Sequence, residues 1–224
     1  MNRLLDLRYR DLFNIEDQTL HIFGCGAVGS NSAMILVRMG ARKFVLYDMD
    51  TVGEENIGVS VYLPKQLGKK KVEALAQLII EIEPEAEIQT IGEVFSGSFT
   101  PKGKDCALVS FDSMSARKEV AEAVCKFSVG LLVDSRMGAE TLQMYSFKNP
   151  TLAEYMAHWY PDEGSDEEPC SSKATSYCAN IAGALAASVV RKAVMGQPMA
   201  ETEIMDLTTY MSKPTYIRGK AGEA

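Results

Sequence analysis

The sequence predicts an α/β fold, a mostly parallel sheet flanked by helices, followed by a less regular C-terminal part that contains antiparallel strands. Three observations carry this prediction. Apolar runs of strand length alternate with amphipathic stretches of helix length as far as Asp134. The first run ends in a glycine-rich turn that opens a helix, and strand, turn, helix and strand make a βαβ unit, whose crossover implies parallel pairing. Beyond Asp134 the pattern changes to apolar–polar alternation, as an antiparallel or edge strand requires.

Each element follows from its own residues. Leu20–Gly24 (LHIFG) is a short apolar run ending in glycine, so it reads as a buried strand. A helix is expected over Ser30 to Met39, closed by Gly40, and Lys43–Asp48 (KFVLYD) is the second strand. Met49 to Leu67 is irregular and holds Gly53, Gly58 and Pro64; connections of that length are often functional. In GKKKVEALAQLIIEIEP the apolar residues at 72, 75, 76, 79, 80 and 82 share one helical face, and Pro84 ends it. Strands are then expected at AEIQTIG, at Asp105–Phe111 and at Val129–Asp134, with a helix over 114–127. Glu140–Phe147 (ETLQMYSF) is the alternating strand, the acid-rich segment 161–170 reads as an exposed mobile loop, and 175–195 forms a helix of small residues suited to close packing.

Composition narrows the function. The chain has 224 residues, 46% apolar and 24% charged, with a formal charge of −7, and this balance argues against nucleic-acid partners, which need a basic face. No apolar run is long enough to span a bilayer, so no membrane partner is expected. The first residues mix charges with leucines and show no signal-peptide core, and a cytoplasmic location is the default. Cys25, Cys106, Cys125, Cys170 and Cys178 form no C-x-x-C pair, so neither a disulfide framework nor a zinc site is expected. His21 and His158 lack clustered partners and suggest no metal site or catalytic dyad.

The glycine turn carries the chemistry. Gly24, Gly26 and Gly29, with Cys25, Ala27 and Val28 between them, match the G-x-G-x-x-G pattern of a Rossmann-like fold. The first glycine permits the turn, the second lets a phosphate approach the backbone, and the third lets helix and strand pack closely. A helix N-terminus offers free N–H donors to those phosphates. Asp48, at the end of the second strand, suits ribose hydroxyls; Asp50 shares its side of an extended chain or is simply an exposed loop acid. Lysines 69, 70 and 71 open a helix against its dipole, which a triphosphate within reach of one of them explains. Asp112 follows a parallel strand and either holds Mg²⁺ with phosphate oxygens or caps the next helix. The glycine turn alone fits both the NAD of an oxidoreductase and the ATP of a carboxylate-activating enzyme.

LRYRDLF, GCGAVGS, YDMDTVGEEN, LGKKKVEAL, EIEPEAEI, FDSMSARK and VDSRMG occur in an order that resembles the ThiF/MoeB-type adenylyltransferases, the superfamily of ubiquitin-activating enzymes. The resemblance covers roughly residues 8–138 and implies a single adenylation domain over 1–224. In it, 1–138 is the nucleotide-binding half and 139–224 the substrate and dimer half. It implies ATP with Mg²⁺, a ubiquitin-like protein or peptide C-terminus as substrate, and a homodimer. Gly24, Gly26 and Gly29 would then form the ATP turn, with Asp48 on the ribose and Asn56 at the family's loop asparagine. Lys71 would be the phosphate lysine and Asp112 the Mg²⁺-associated aspartate. Arg10, or else Arg8, would match an arginine that reaches the partner's ATP. The family's arginine three residues after Asn56 is replaced by Val59, a place that Arg8, Arg10, Lys69 or Lys70 would have to fill. Without such a substitute the fold describes a catalytically weak scaffold subunit. Cys170 precedes a helix and is a candidate thioester nucleophile, or a free loop cysteine.

Overall fold

In the computed structural model, which describes residues 14–161 and 174–216, one eight-stranded sheet runs through both halves of the chain. β1 (Thr19–Phe23), β2 (Lys43–Tyr47), β3 (Glu87–Ile91), β4 (Cys106–Val109) and β5 (Leu131–Gly138) are parallel, in the order β3-β2-β1-β4-β5. β6 (Thr141–Lys148), β7 (Thr202–Asp206) and β8 (Met211–Thr215) extend it antiparallel. The chain leaves β1 towards β2 on one side and later returns to β4 on the other. That reversal opens a crevice at the carboxyl ends of β1 and β4, where ligands of open α/β sheets bind.

Period-two side-chain alternation buries both faces of the parallel strands. Leu20, Ile22, Phe44, Leu46, Leu108, Leu131 and Val133 face one layer, formed by α1 (Ala27–Arg38), α3 (Lys71–Ile82) and α6 (Ser176–Val194). Phe23, Tyr47, Ala107, Val109 and Leu132 face the other, which includes α4 (Met114–Lys126), α5 (Leu152–Met156) and Phe95 and Phe99. The small-residue helix α6 lies on α1 so closely that a Cβ at Gly183 would meet Asn31 Cβ at 2.9 Å. Its small-residue face is buried within the chain and therefore carries no argument for a dimer. No helix of the described residues is long and apolar enough to cross a membrane.

Several expectations are corrected. α1 begins at Ala27 rather than Ser30, because Gly26 already serves as the helix cap. The segment 49–67 contains a short helix, α2 (Glu54–Ile57), and a 3₁₀ turn at Pro64–Gln66. β5 continues past Asp134 to Gly138, since β6 pairs along its whole length. Ser113, not Asp112, caps α4: its hydroxyl accepts the Ala116 N–H at 3.3 Å. Cys125 is half-buried rather than core. α5, β7 and β8 were not anticipated; β8, MSKPT, is an exposed edge with a proline and no apolar alternation.

Two buried polar clusters brace the sheet. Asp134, wholly buried, accepts hydrogen bonds from Arg117 Nη1, from Arg136 Nε at 3.0 Å and Nη2 at 2.8 Å, and from the Tyr155 hydroxyl at 3.1 Å. Arg136 also donates to the His158 carbonyl at 2.8 Å, so α4, α5, β5 and the segment after α5 meet at one carboxylate. At the other end, buried His21 sits between the Tyr47 hydroxyl and Asp105 Oδ2, each 3.3 Å away. Burial lowers the His21 pKa, against the opposing effect of its hydrogen bond to Asp105 and the Asp105 charge.

Asp134→Asn leaves two buried guanidiniums without an anion and is expected to cost about 3–5 kcal/mol in urea unfolding. The His21 imidazole is held neutral in the fold while the unfolded chain protonates it near pH ~6.5, so the unfolded state binds more protons below that pH. Stability is therefore expected to fall as pH drops below ~6.5, and His21→Gln should flatten that part of a stability–pH curve.

Candidate nucleotide site

The turn after β1 faces the crevice between β1 and β4. Gly24 has φ +96°, and a Cβ there would meet the Ser110 backbone at 2.9 Å. A Cβ at Gly29 would lie 1.8 Å from the Gly24 carbonyl oxygen, so only glycine lets α1 seat on the turn. Gly26 differs: a Cβ there would meet nothing within 4 Å. No acceptor among the described residues takes the Gly26 N–H. An open cradle, a free N–H and a helix N-terminus (Ala27, Val28) are what an anion such as a nucleotide phosphate fits. Ser110, which sequence reasoning passed over, closes the far side by donating to the Gly24 carbonyl at 3.0 Å.

Asp48, 7% exposed, accepts the Cys25 N–H at 2.7 Å through Oδ2 and the Asp50 N–H at 2.9 Å through Oδ1. Each oxygen keeps a lone pair for a further donor such as a ribose hydroxyl. Lys71, at the start of α3, is the lysine of the triplet that turns inward. It is buried, and its Nζ lies 2.8 Å from Asp50 Oδ2. Burial acts to lower its pKa, but the Asp50 hydrogen bond and the charges of Asp48, Asp50 and Asp112 outweigh it and raise the pKa, so the amine is charged. Asp50 is thus a partner of Lys71, not merely a loop acid, and the exposed Asp112 belongs to the same electrostatic neighbourhood.

The other lysines are engaged elsewhere. Lys69 donates to Gln77 Oε1 at 3.1 Å, and Lys70 to the Met49 carbonyl at 2.6 Å. Arg8, Arg10, Cys170 and the rest of the acid-rich segment from residue 162 on lie outside the described residues.

The 49–67 segment folds back onto α1. Asn56 Oδ1 accepts the Gly53 N–H at 2.9 Å and its carbonyl accepts the Ser60 N–H at 3.0 Å, so Asn56 shapes this loop. Asn31 Nδ2 donates to the carbonyls of Ala27 at 2.8 Å and Val59 at 3.2 Å. Buried Tyr62 donates its hydroxyl to the Cys25 carbonyl at 2.6 Å. Asn31 and Tyr62 were missed; the available signals were a polar residue on the apolar face of α1 and an aromatic inside the loop.

Among the described residues no cysteine is poised as a nucleophile. Burial pushes the Cys106 thiol up to about 12 and those of Cys125 and Cys178 up to about 11, and drives Cys25 well above its ordinary value. No group of three metal-ligating side chains occurs among the described residues. Asp112 beside a charged lysine suits instead a cation held mainly by phosphate oxygens and water.

Comparison with known proteins adds the family. A model described as the ThiF family matches residues 2–217. Ubiquitin-like modifier-activating enzyme 5 of Caenorhabditis briggsae is 32% identical over 125 residues, covering 50% of this chain and 29% of the relative. The Arabidopsis thaliana protein of the same name is 31% identical over 128 residues, covering 49% and 30%. This chain therefore matches under a third of these relatives' length. Among solved structures, E. coli MccB crystallised with ATP superposes with a TM-score of 0.72 at 14% identity, over 93% of this chain and 66% of that one. TcdA (CsdL) gives 0.65 at 18% identity, over 81% and 87%. At such identities the shared property is the fold.

Asp50→Asn removes one carboxylate facing the Lys71 amine, and the Lys71 titration followed by carbon NMR at Cε is expected to move to lower pH. Gly29→Ala is expected to lower the thermal midpoint by several degrees, of the order of 1–3 kcal/mol of overpacking, whereas Gly26→Ala leaves it nearly unchanged.

Proposed function

The chain belongs to the ThiF family, and from that membership we propose that it uses ATP to adenylate a carboxylate, the C-terminus of a ubiquitin-like protein or peptide. The observation that carries this reading is buried, charged Lys71 beside the glycine turn, with Asp48, Asp50 and Asp112 around it. The dinucleotide oxidoreductase reading gives Lys71 and Asp112 no role. The names of the curated relatives, ubiquitin-like modifier-activating enzymes, support the substrate class.

The chemistry needs no general base, because a carboxylate is ionised at neutral pH. One carboxylate oxygen bonds to the α-phosphorus, the bond from that phosphorus to the oxygen bridging α and β breaks, and pyrophosphate departs with the electron pair. Positioning and charge compensation supply the catalysis. In this assignment the Gly24–Gly29 turn and the N-terminus of α1 hold the phosphates, Asp48 takes the ribose, and Asn56 shapes the covering loop. Asp50 keeps Lys71 charged and placed, and Lys71 offsets phosphate charge. Mg²⁺, held by Asp112 with phosphate oxygens, would add Lewis-acid stabilisation of the leaving pyrophosphate. The 1–138 half serves the nucleotide and 139–224 the substrate. Arg10 of a second copy in a homodimer would complete the phosphate site, and Cys170 would accept the acyl group if a thioester follows.

Val59 favours a second reading, a catalytically weak subunit of the same fold. Val59 stands where the resemblance expects a bidentate guanidinium, and the Nζ groups of Lys69 and Lys70 are taken up by Gln77 and the Met49 carbonyl.

ATP–pyrophosphate exchange with carboxyl-terminal peptides, run beside calorimetric titrations with ATP–Mg²⁺ and with NAD, tests the assignment. Exchange is expected with a suitable peptide, and Lys71→Ala should abolish it while the protein remains folded. Exchange surviving in Lys71→Ala rejects the site, ATP binding without exchange supports the weak-subunit reading, and binding of NAD alone overturns adenylation.

A further inference from the structure

We propose that Tyr62 is a positioning residue whose hydroxyl orients the Cys25–Gly26 peptide so that the Gly26 N–H faces the nucleotide phosphates, and ties that peptide to the helix carrying Lys71. This rests on the nucleotide site described above. The ring of Tyr62 packs in the apolar cluster of α1 and α3, a task phenylalanine would perform as well. Its hydroxyl does something else. It lies 2.6 Å from the Cys25 carbonyl oxygen and 3.2 Å from that of Lys71, and the residue is 2% exposed. A trans peptide carries its C=O and N–H on opposite sides of one plane. Drawing the Cys25 carbonyl towards Tyr62 therefore turns the Gly26 N–H the other way, and that donor has no acceptor among the described residues.

The hydroxyl also closes a circuit. The Cys25 N–H donates to Asp48, Asp48 accepts the Asp50 N–H, and the Asp50 carbonyl accepts the Lys71 N–H at 2.9 Å. The Lys71 carbonyl then shares the single Tyr62 proton, whose main acceptor is the nearer Cys25 carbonyl. Turn, ribose acid and phosphate lysine are linked in one ring, and Tyr62 is its one side chain from the covering loop. Burial raises the pKa of the phenol, so it remains a donor at any working pH.

Tyr62→Phe keeps the ring and deletes the hydroxyl. Calorimetry of the full chain with ATP, NAD and adenosine, together with the thermal midpoint, decides the matter. The expected result is an ATP Kd raised about tenfold, as the loss of one oriented donor to a charged group would give, with adenosine affinity nearly unchanged and the midpoint lowered by a few degrees as the buried Cys25 carbonyl loses its donor. In wild-type protein the Gly26 amide resonance should shift on adding ATP, and in Tyr62→Phe it should shift much less. Unchanged ATP affinity, or equal weakening of ATP and adenosine, overturns the proposal. If the wild type binds NAD and not ATP, adenylation fails, but a loss confined to the dinucleotide in Tyr62→Phe still supports the role of Tyr62. Binding of neither nucleotide by the wild type overturns both.

Discussion

The site depends on one carboxylate accepting two backbone N–H groups. Asp48 ends β2, yet it bonds to Cys25 in the turn after β1 and to Asp50 in the strand's own continuation. Those bonds hold the glycine turn against the neighbouring strand and bend the chain so that Asp50 meets Lys71. Hydrogen bonds from N–H to an ionised acceptor are stronger than neutral ones, and burial spares these from competition with water. The same atoms therefore brace the turn and stand ready for a ribose.

The sheet explains why these residues meet. With β2 on one side of β1 and β4 on the other, the loops carrying Cys25–Gly26, Asp48–Asp50 and Ser110–Asp112 emerge at one edge. Both faces of the parallel strands are packed, so that edge is a firm platform. Asp134 with Arg117, Arg136 and Tyr155 holds the adjoining region, where parallel pairing gives way to antiparallel, by a buried ion network. A network of that kind adds definition more than stability.

Charge gives the crevice its chemical character. One buried ammonium stands among three carboxylates, and the turn beside it offers a helix N-terminus and an N–H with no acceptor among the described residues. Such a mixed arrangement suits a polyanion that arrives with a divalent cation, since the lysine and N–H groups favour phosphate while the acids favour metal or ribose hydroxyls. The resemblance expects an arginine where Val59 stands, and the Nζ groups of Lys69 and Lys70 bond to Gln77 and to the Met49 carbonyl.

Local sequence determined much of this protein. Short continuous apolar runs located the parallel strands, and helical apolar spacing located α1, α3, α4 and α6, because burial on both sheet faces or on one helix face leaves a readable pattern. The glycine turn was legible because at Gly24 and Gly29 no other residue tolerates the backbone angle or the close approach, and the family motifs brought in Asn56 and singled out Lys71. What tertiary structure decided are the choices between equivalent residues. That Lys71 rather than Lys69 or Lys70 turns inward, that Ser113 caps α4, and that Asp50 pairs with Lys71 depend on where distant elements stand. Tyr62, Asn31 and Ser110 act on backbone groups far away in the chain, and no local pattern encodes such a partner. The last strands, β7 and β8, were invisible for a related reason: with little to bury, they carry no apolar alternation, and only pairing of β7 onto β6 and of β8 onto β7 makes them strands.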